Sequence, residues 1–189
     1  SYTDALMLSG ETASGKYPLE AVKTMAAIAE QAEKDRNAMG EYEVPMNENC
    51  SQREFLAHAA IDATRKLGVA GIITDSLTGE TVRHLAAFRG PNPILAICYN
   101  EKTQRWLNLS FGVIAIHQKD KISPNYMFTA ALRMLRQKGY ITLDDKIAYL
   151  SGSFGLGNPG GTTFLEINKV RQVFDKSYKF HLPNKETDK

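Results

Sequence analysis

Cysteine is scarce in this chain of 189 residues, and its two copies, Cys50 and Cys98, fall in unlike settings, a polar stretch and an apolar run. A structural disulfide is therefore not expected, and free thiols fit a reducing, cytoplasmic compartment. Charge of one sign is also lacking. Lys and Arg number 23 against 21 Asp and Glu, and they are scattered, so no basic stripe argues for nucleic acid or a membrane surface. No apolar run approaches the ~18 residues that span a bilayer, and no charged-then-apolar leader opens the chain. His58, His84, His117 and His181 have no spacing that resembles a metal site, and all four read as structural or solvated. The single tryptophan, Trp106, reads as a core side chain rather than the flank of a ligand. What is left is the composition of a soluble globular protein, long enough for one ordinary domain with appendages.

Periodicity orders the chain. A short apolar run, Ala5 to Leu8, reads as a strand that exits into Ser9, Gly10 and Glu11, and a helix led by Pro18 follows to about Glu33. Its apolar residues Leu19, Val22, Met25, Ala26, Ala29 and Ala32 form one face that needs a partner. Residues 35–50, with Gly40 and Pro45, read as a linker. At Ser51, SQRE reads as a capping box that opens a helix to about Leu67, burying Phe55, Leu56, Ala59, Ala60, Ala63 and Leu67. Val69 to Thr74 is too short and too uniformly apolar for an amphipathic helix, so it reads as a strand covered on both sides. The alternation continues with a helix from about Gly79 to Arg89, a strand from Pro93 to Cys98, and a short helix capped by Asn100. A strand from Val113 to His117 and a helix from Ser123 and Pro124 to Gly139 complete it, and together these imply a parallel sheet with helices on both faces. Lys146 to Ser151 and Thr163 to about Val170 are strands with no helix between them, so they should pair antiparallel, the last at an edge. Residues 171–189 read as a charged, mixed tail, partly disordered, anchored only by Phe174, Tyr178 and Phe180.

Three loops carry polar groups suited to chemistry. Ser9 and Glu11 stand at a strand exit, where barrel enzymes place reacting groups, although a tight loop could use both to satisfy its own amides. Ser76, Thr78, Gly79 and Thr81, in SLTGET, offer hydroxyls and helix N-terminal amides to a phosphate. Against that stands Glu80, whose carboxylate would repel phosphate at short range, and plain helix capping explains the same residues. The third loop, SGSFGLGNPGGTT, matches GxGxxG letter for letter, but a strand follows it rather than the helix a dinucleotide site requires. A nucleotide-binding oxidoreductase is therefore disfavoured. Gly157, Gly160, Gly161 and Thr162 remain plausible amide or hydroxyl donors, and a glycine-rich hairpin connection would look the same.

The stretch DALMLSGETASGKYP, Asp4 to Pro18, resembles the last strand and loop of the pyruvate kinase barrel, whose LSGETA-x-G-x-YP signature is matched from Leu8 to Pro18. The later order of elements is similar to that family's C-terminal domain, a three-layer α/β/α sandwich around a mixed five-stranded sheet with its last strand antiparallel. The resemblance implies that residues 1–34 are a remnant of the catalytic barrel, 35–50 a linker, and 51–170 a regulatory and oligomerisation domain. It implies a glycolytic parent enzyme that transfers phosphate from phosphoenolpyruvate to ADP, with magnesium and potassium bound by barrel residues outside this chain. Ser9 and Glu11 would support proton handling at enolpyruvate in that parent. Ser76, Thr78, Gly79 and Thr81 would hold a sugar-phosphate or nucleotide effector, over which the loop bearing Gly157, Gly160, Gly161 and Thr162 closes. Catalysis by this chain alone is not expected. Nor does it need a cofactor of its own, and it should form homo-oligomers, a dimer as a fragment and a tetramer as the whole enzyme. The alternative is a free-standing phosphometabolite-binding or assembly module.

Overall fold

The computed structural model of the chain describes residues 3–38, 44–118, 124–152 and 161–180. It divides into two units, Ser1–Pro45 and Met46–Lys189.

Among its described residues the first unit holds two helices, α1 (Gly10–Ala13) and α2 (Pro18–Ala38). Pro18 suits a first helical position because it has no N–H to leave unpaired, and the Tyr17 carbonyl accepts the first bond, from the Ala21 amide at 3.0 Å. The helix runs beyond Glu33, so the first residues of the expected linker are helical. Ala5 to Leu8 does not form the expected strand. A strand exists only against a neighbour that takes its backbone bonds, and every strand among the described residues lies in the second unit. Met7 is accordingly 88% exposed, and Leu19, Val22 and Ile28 of α2 are exposed as well.

In the second unit, α3 (Gln52–Lys66) starts where the Ser51 hydroxyl accepts from the Glu54 amide at 3.2 Å, as the capping box predicts. Strand β1 (Val69–Ser76), helix α4 (Glu80–Ala87), strand β2 (Ile94–Cys98), helix α5 (Glu101–Leu107) and strand β3 (Val113–His117) follow. Then come α6 (Pro124–Gln137), β4 (Lys146–Ser151), β5 (Phe164–Lys169) and α7 (Val170–Phe180). The five strands form one sheet in the order β3-β2-β1-β4-β5. All neighbours are parallel except β4 and β5, which run antiparallel from Lys146↔Lys169 to Ser151↔Phe164.

Nearly every residue of β1, β2 and β4 is buried, as strands covered on both faces must be. One face presents Ile73, Leu95, Ile97, Ile147 and Tyr149 to Phe128, Leu132 and Leu135 of α6 and to Val170 and Val173 of α7. Phe128 stacks on Tyr149 with ring centroids 4.4 Å apart. On the other side α3 and α4 pack together and against β1.

Three expectations need correction. The buried face of α3 is Ala57, Ala60, Ile61, Ala63 and Thr64, whereas Phe55 and Leu67 are 53% and 51% exposed. Small side chains line the face that meets its neighbours because they allow close approach, which turns the bulkier Phe55 outward. Residues 170–180 are not a loose tail but helix α7, whose Val170 and Val173 enter the core; residues 181–189, His181 among them, lie outside the described ones. Trp106 is 51% exposed rather than core, with the Arg83 guanidinium 4.7 Å over its ring. That cation–π contact gives an aromatic at the surface a partner that does not require burial.

Candidate functional site

Strand order places the site. The chain steps from β1 to β2 to β3 on one side and then crosses to β4 on the other, so the carboxyl ends of β1 and β4 flank the point where the winding reverses. Loops leaving adjacent strands in opposite directions open a crevice there, the usual ligand position in α/β sheets.

The loop after β1 is built by its own side chains. Ser76 is buried, and its hydroxyl accepts from the Gly79 amide at 2.8 Å. Gly79 sits at φ +84°, and a Cβ there would meet Leu107 Cδ2 at 3.0 Å. Both strain and space therefore select glycine at this position. The Gly79 carbonyl then accepts from the Arg83 amide at 3.0 Å, the first helical bond of α4, and the remaining first-turn amides point out of the helix end. Thr103 of α5 donates to the Leu77 carbonyl at 3.3 Å, holding the loop from outside. Thr78 is exposed at its tip.

The second loop joins the first through hydroxyls. Thr81 and Thr162, both buried, lie 2.8 Å apart, Oγ1 to Oγ1. The neck of the second loop closes at Thr163, whose amide donates to the Ser151 carbonyl at 2.9 Å, and at Gly152, where a Cβ would collide with the Gly161 carbonyl oxygen. Of the residues the sequence singles out, Ser76, Gly79, Thr81 and Thr162 thus come together, with Thr78 and Gly161 alongside. Gly157 and Gly160 lie outside the described residues.

Four further residues complete the surroundings. Arg53, in the first turn of α3, forms an ion pair with Glu80, the first residue of α4. On the opposite face, the Asp75 carboxylate accepts from the Ser151 hydroxyl and from the Tyr99 hydroxyl, the latter at 3.2 Å. Burial pushes the Tyr99 phenol well above its ordinary range, and the Asp75 charge adds to the effect. The same two causes, burial first, raise Tyr149 to about 12. Sequence reading missed Arg53, Asp75, Tyr99 and Tyr149. Arg53 lies inside the capping box, where only Ser51 and Glu54 carry the motif, and Asp75 follows directly on an apolar run, where an acid reads as a turn residue. An acid at the end of a buried strand, and a cation in a helix's first turn, were the available signals.

Ser9 and Glu11 lie in the first unit and answer each other. The Ser9 amide donates to Glu11 Oε2 at 3.0 Å, and Ser9 is the residue before α1. The amides of Glu11 itself and of Ser9 hold its carboxyl below the usual carboxylate range. Among the described residues no group of three His, Cys, Asp or Glu side chains could hold a metal ion, and no helix is long and apolar enough to cross a membrane. Both cysteines are free.

Residues 54–168 match the family model described as pyruvate kinase, alpha/beta domain. A pyruvate kinase of Borreliella burgdorferi is 38% identical over 173 residues, covering 90% of this chain and 36% of the relative. One of Bacillus licheniformis is 34% identical over 179 residues, covering 92% and 30%. The chain thus spans about a third of the length of these curated relatives. Among solved structures, a pyruvate kinase from Cryptosporidium parvum superposes with a TM-score of 0.75 at 23% identity, over 87% of this chain and 32% of that one. At that identity the superposition speaks for the fold, whose mixed sheet with one antiparallel strand it shares.

Proposed function

The chain belongs to the pyruvate kinase family as its C-terminal α/β domain, and on that premise we propose that its second unit binds a phosphorylated effector at the crevice between the β1 and β4 loops. The observation that carries this is the joining of the two loops by the Thr81–Thr162 hydroxyl pair, beside the glycine-led N-terminus of α4. Ser76 shapes the turn, Thr78 and the first-turn amides of α4 meet the phosphate, and the loop that ends in Gly161 and Thr162 covers the rest of the ligand. Gly157 and Gly160 belong to that cover.

The parent enzyme transfers phosphate from phosphoenolpyruvate to ADP in the cytoplasm. Residues 1–34 derive from the last strand–helix unit of its barrel, with Ser9 and Glu11 in the polar network that handles the proton, and residues 35–50 serve as the linker. Residues 51–170 then form the regulatory and assembly domain, and the segment from 171 onward adds helix α7 to it. Magnesium and potassium serve that reaction, held by barrel residues of the parent outside this chain. This chain alone is inactive and self-associates as a dimer, where the parent is a tetramer. Light scattering at micromolar concentration that finds only monomer counts against the assembly role.

Titration calorimetry with fructose 1,6-bisphosphate, ribose 5-phosphate, glucose 6-phosphate and AMP tests the effector role. Binding of one of them, weakened by Thr78→Val, is the expected result. Silence from all four with a folded chain overturns it.

A further inference from the structure

The one feature that argues against phosphate at this crevice is Glu80, and the structure gives it a specific partner. Its carboxylate is engaged by the Arg53 guanidinium. Arg53 lies in the first turn of α3, where its own helix dipole disfavours a cation, so the guanidinium has an electrostatic reason to keep an anion beside it. Glu80 lies in the first turn of α4, where an anion is favoured. The two partners are not equally fixed: the Arg53 side chain is largely covered, whereas that of Glu80 is 47% exposed. The cation is the stationary member and the acid is the one with room to leave.

We propose that the Arg53–Glu80 pair is an autoinhibitory contact in which the Glu80 carboxylate occupies the place of an effector phosphate, so that a phosphate ester binds by displacing Glu80 from Arg53. The inference rests on the effector role proposed above and adds how that site is regulated. A guanidinium fork donates to phosphate oxygens in the same bidentate manner as to carboxylate oxygens, so the exchange keeps Arg53 satisfied while Glu80 passes into water. With the pair closed, the side-chain charges cancel and the α4 end attracts a dianion only through its amides. With the pair open, the guanidinium adds its attraction to that of those amides. Apparent affinity is then the intrinsic affinity reduced by the fraction of molecules whose pair is open.

Calorimetry of the 189-residue chain with the same four phosphate esters, and separately with inorganic phosphate, tests this in the wild type and in Glu80→Gln, Arg53→Gln and Arg53→Lys. Glu80→Gln removes the internal competitor and should tighten binding by about tenfold, the range of ordinary allosteric couplings. Arg53→Gln should weaken it by a similar factor. Arg53→Lys retains the charge without the fork, so it keeps a cation beside Glu80 and should fall between wild type and Arg53→Gln, which guards against misreading a folding defect. Binding that is unchanged within about twofold across all variants, on the scale of ordinary couplings, leaves the effector role standing and overturns the gate. Absence of binding in the wild type and in a folded Glu80→Gln overturns both.

Discussion

The Ser151 hydroxyl donates to the Asp75 carboxylate across the β1–β4 pair, tying together the two strands from which the crevice loops leave. Tyr99, just beyond β2, donates to the same carboxylate at 3.2 Å. One acid therefore holds the carboxyl ends of three strands.

Replacing that acid leaves two hydroxyls without this acceptor. Asp75→Ala should destabilise the chain by about 1–3 kcal/mol, the cost of losing a charged acceptor shared by two hydroxyls, and Tyr99→Phe by about 0.5–1.5 kcal/mol. Urea unfolding midpoints check both, and an Asp75→Ala chain as stable as wild type would remove the carboxylate from the account of the fold.

The Thr81–Thr162 pair predicts a sign as well as a size. Thr81→Val or Thr162→Val alone strands one buried hydroxyl and should cost about 1–3 kcal/mol, while the double substitution should cost less than the sum. Additive losses in the double-mutant cycle would mean that the two loops are not joined by this contact.

Gly79→Ala meets a positive φ and the Leu107 side chain together. A loss of about 1–2 kcal/mol is expected from the left-handed backbone alone, and effector binding should go with it. Retained stability with retained binding would show that the turn tolerates a side chain.

Alkali should unfold the chain in two stages that the buried groups identify. Burial raises Cys98 from an ordinary 9.0 to about 11, and burial together with Asp75 raises Tyr149 from 10.0 to about 12. The folded state holds these protons more tightly than the unfolded chain, so their contribution is complete below pH 9 for the thiol and below pH 10 for the phenol. It is lost as pH climbs through the folded values, by up to about 1.4 kcal/mol per pH unit for each group. Unfolding midpoints between pH 8 and 12 measure it, and Tyr149→Phe should reduce the loss above pH 10, to which the raised Tyr99 phenol contributes as well.

Helix α7 should behave as part of the domain. Val173→Ala is expected to cost about 0.5–1.5 kcal/mol as a small core deletion, and removal of residues 170–189 considerably more. A truncated chain with an unchanged urea midpoint would return the segment to the status of a tail.

Much of the second unit was legible in the sequence because its signals are local. Near-continuous apolar runs bounded by turn residues marked the first four strands, and Ser51 and Asn100 marked helix starts where the structure has them. The misreadings share a different cause. Ala5 to Leu8 has strand composition, but a strand is a property of its neighbours. In α3 the spacing located a helix without deciding whether Phe55 or Ala57 faces the sheet, because that depends on how closely the sheet can approach. In α7 the charged residues masked the apolar step from Val170 to Val173. For the site, the SLTGET turn could be read directly, whereas the Thr81–Thr162 bond joins residues 81 positions apart and Arg53 reaches Glu80 from another helix. Pairings of that kind arise only when the sheet order is known.

The closed neck at Gly152, Gly161 and Thr163 has an evolutionary consequence. Because the rungs beneath it are already paired, residues can be inserted above it without disturbing strand register, and doubling the span adds only about 0.6 kcal/mol of closure entropy. The surface above the neck can therefore drift by changes in loop length and composition, while the sheet beneath it is inherited intact.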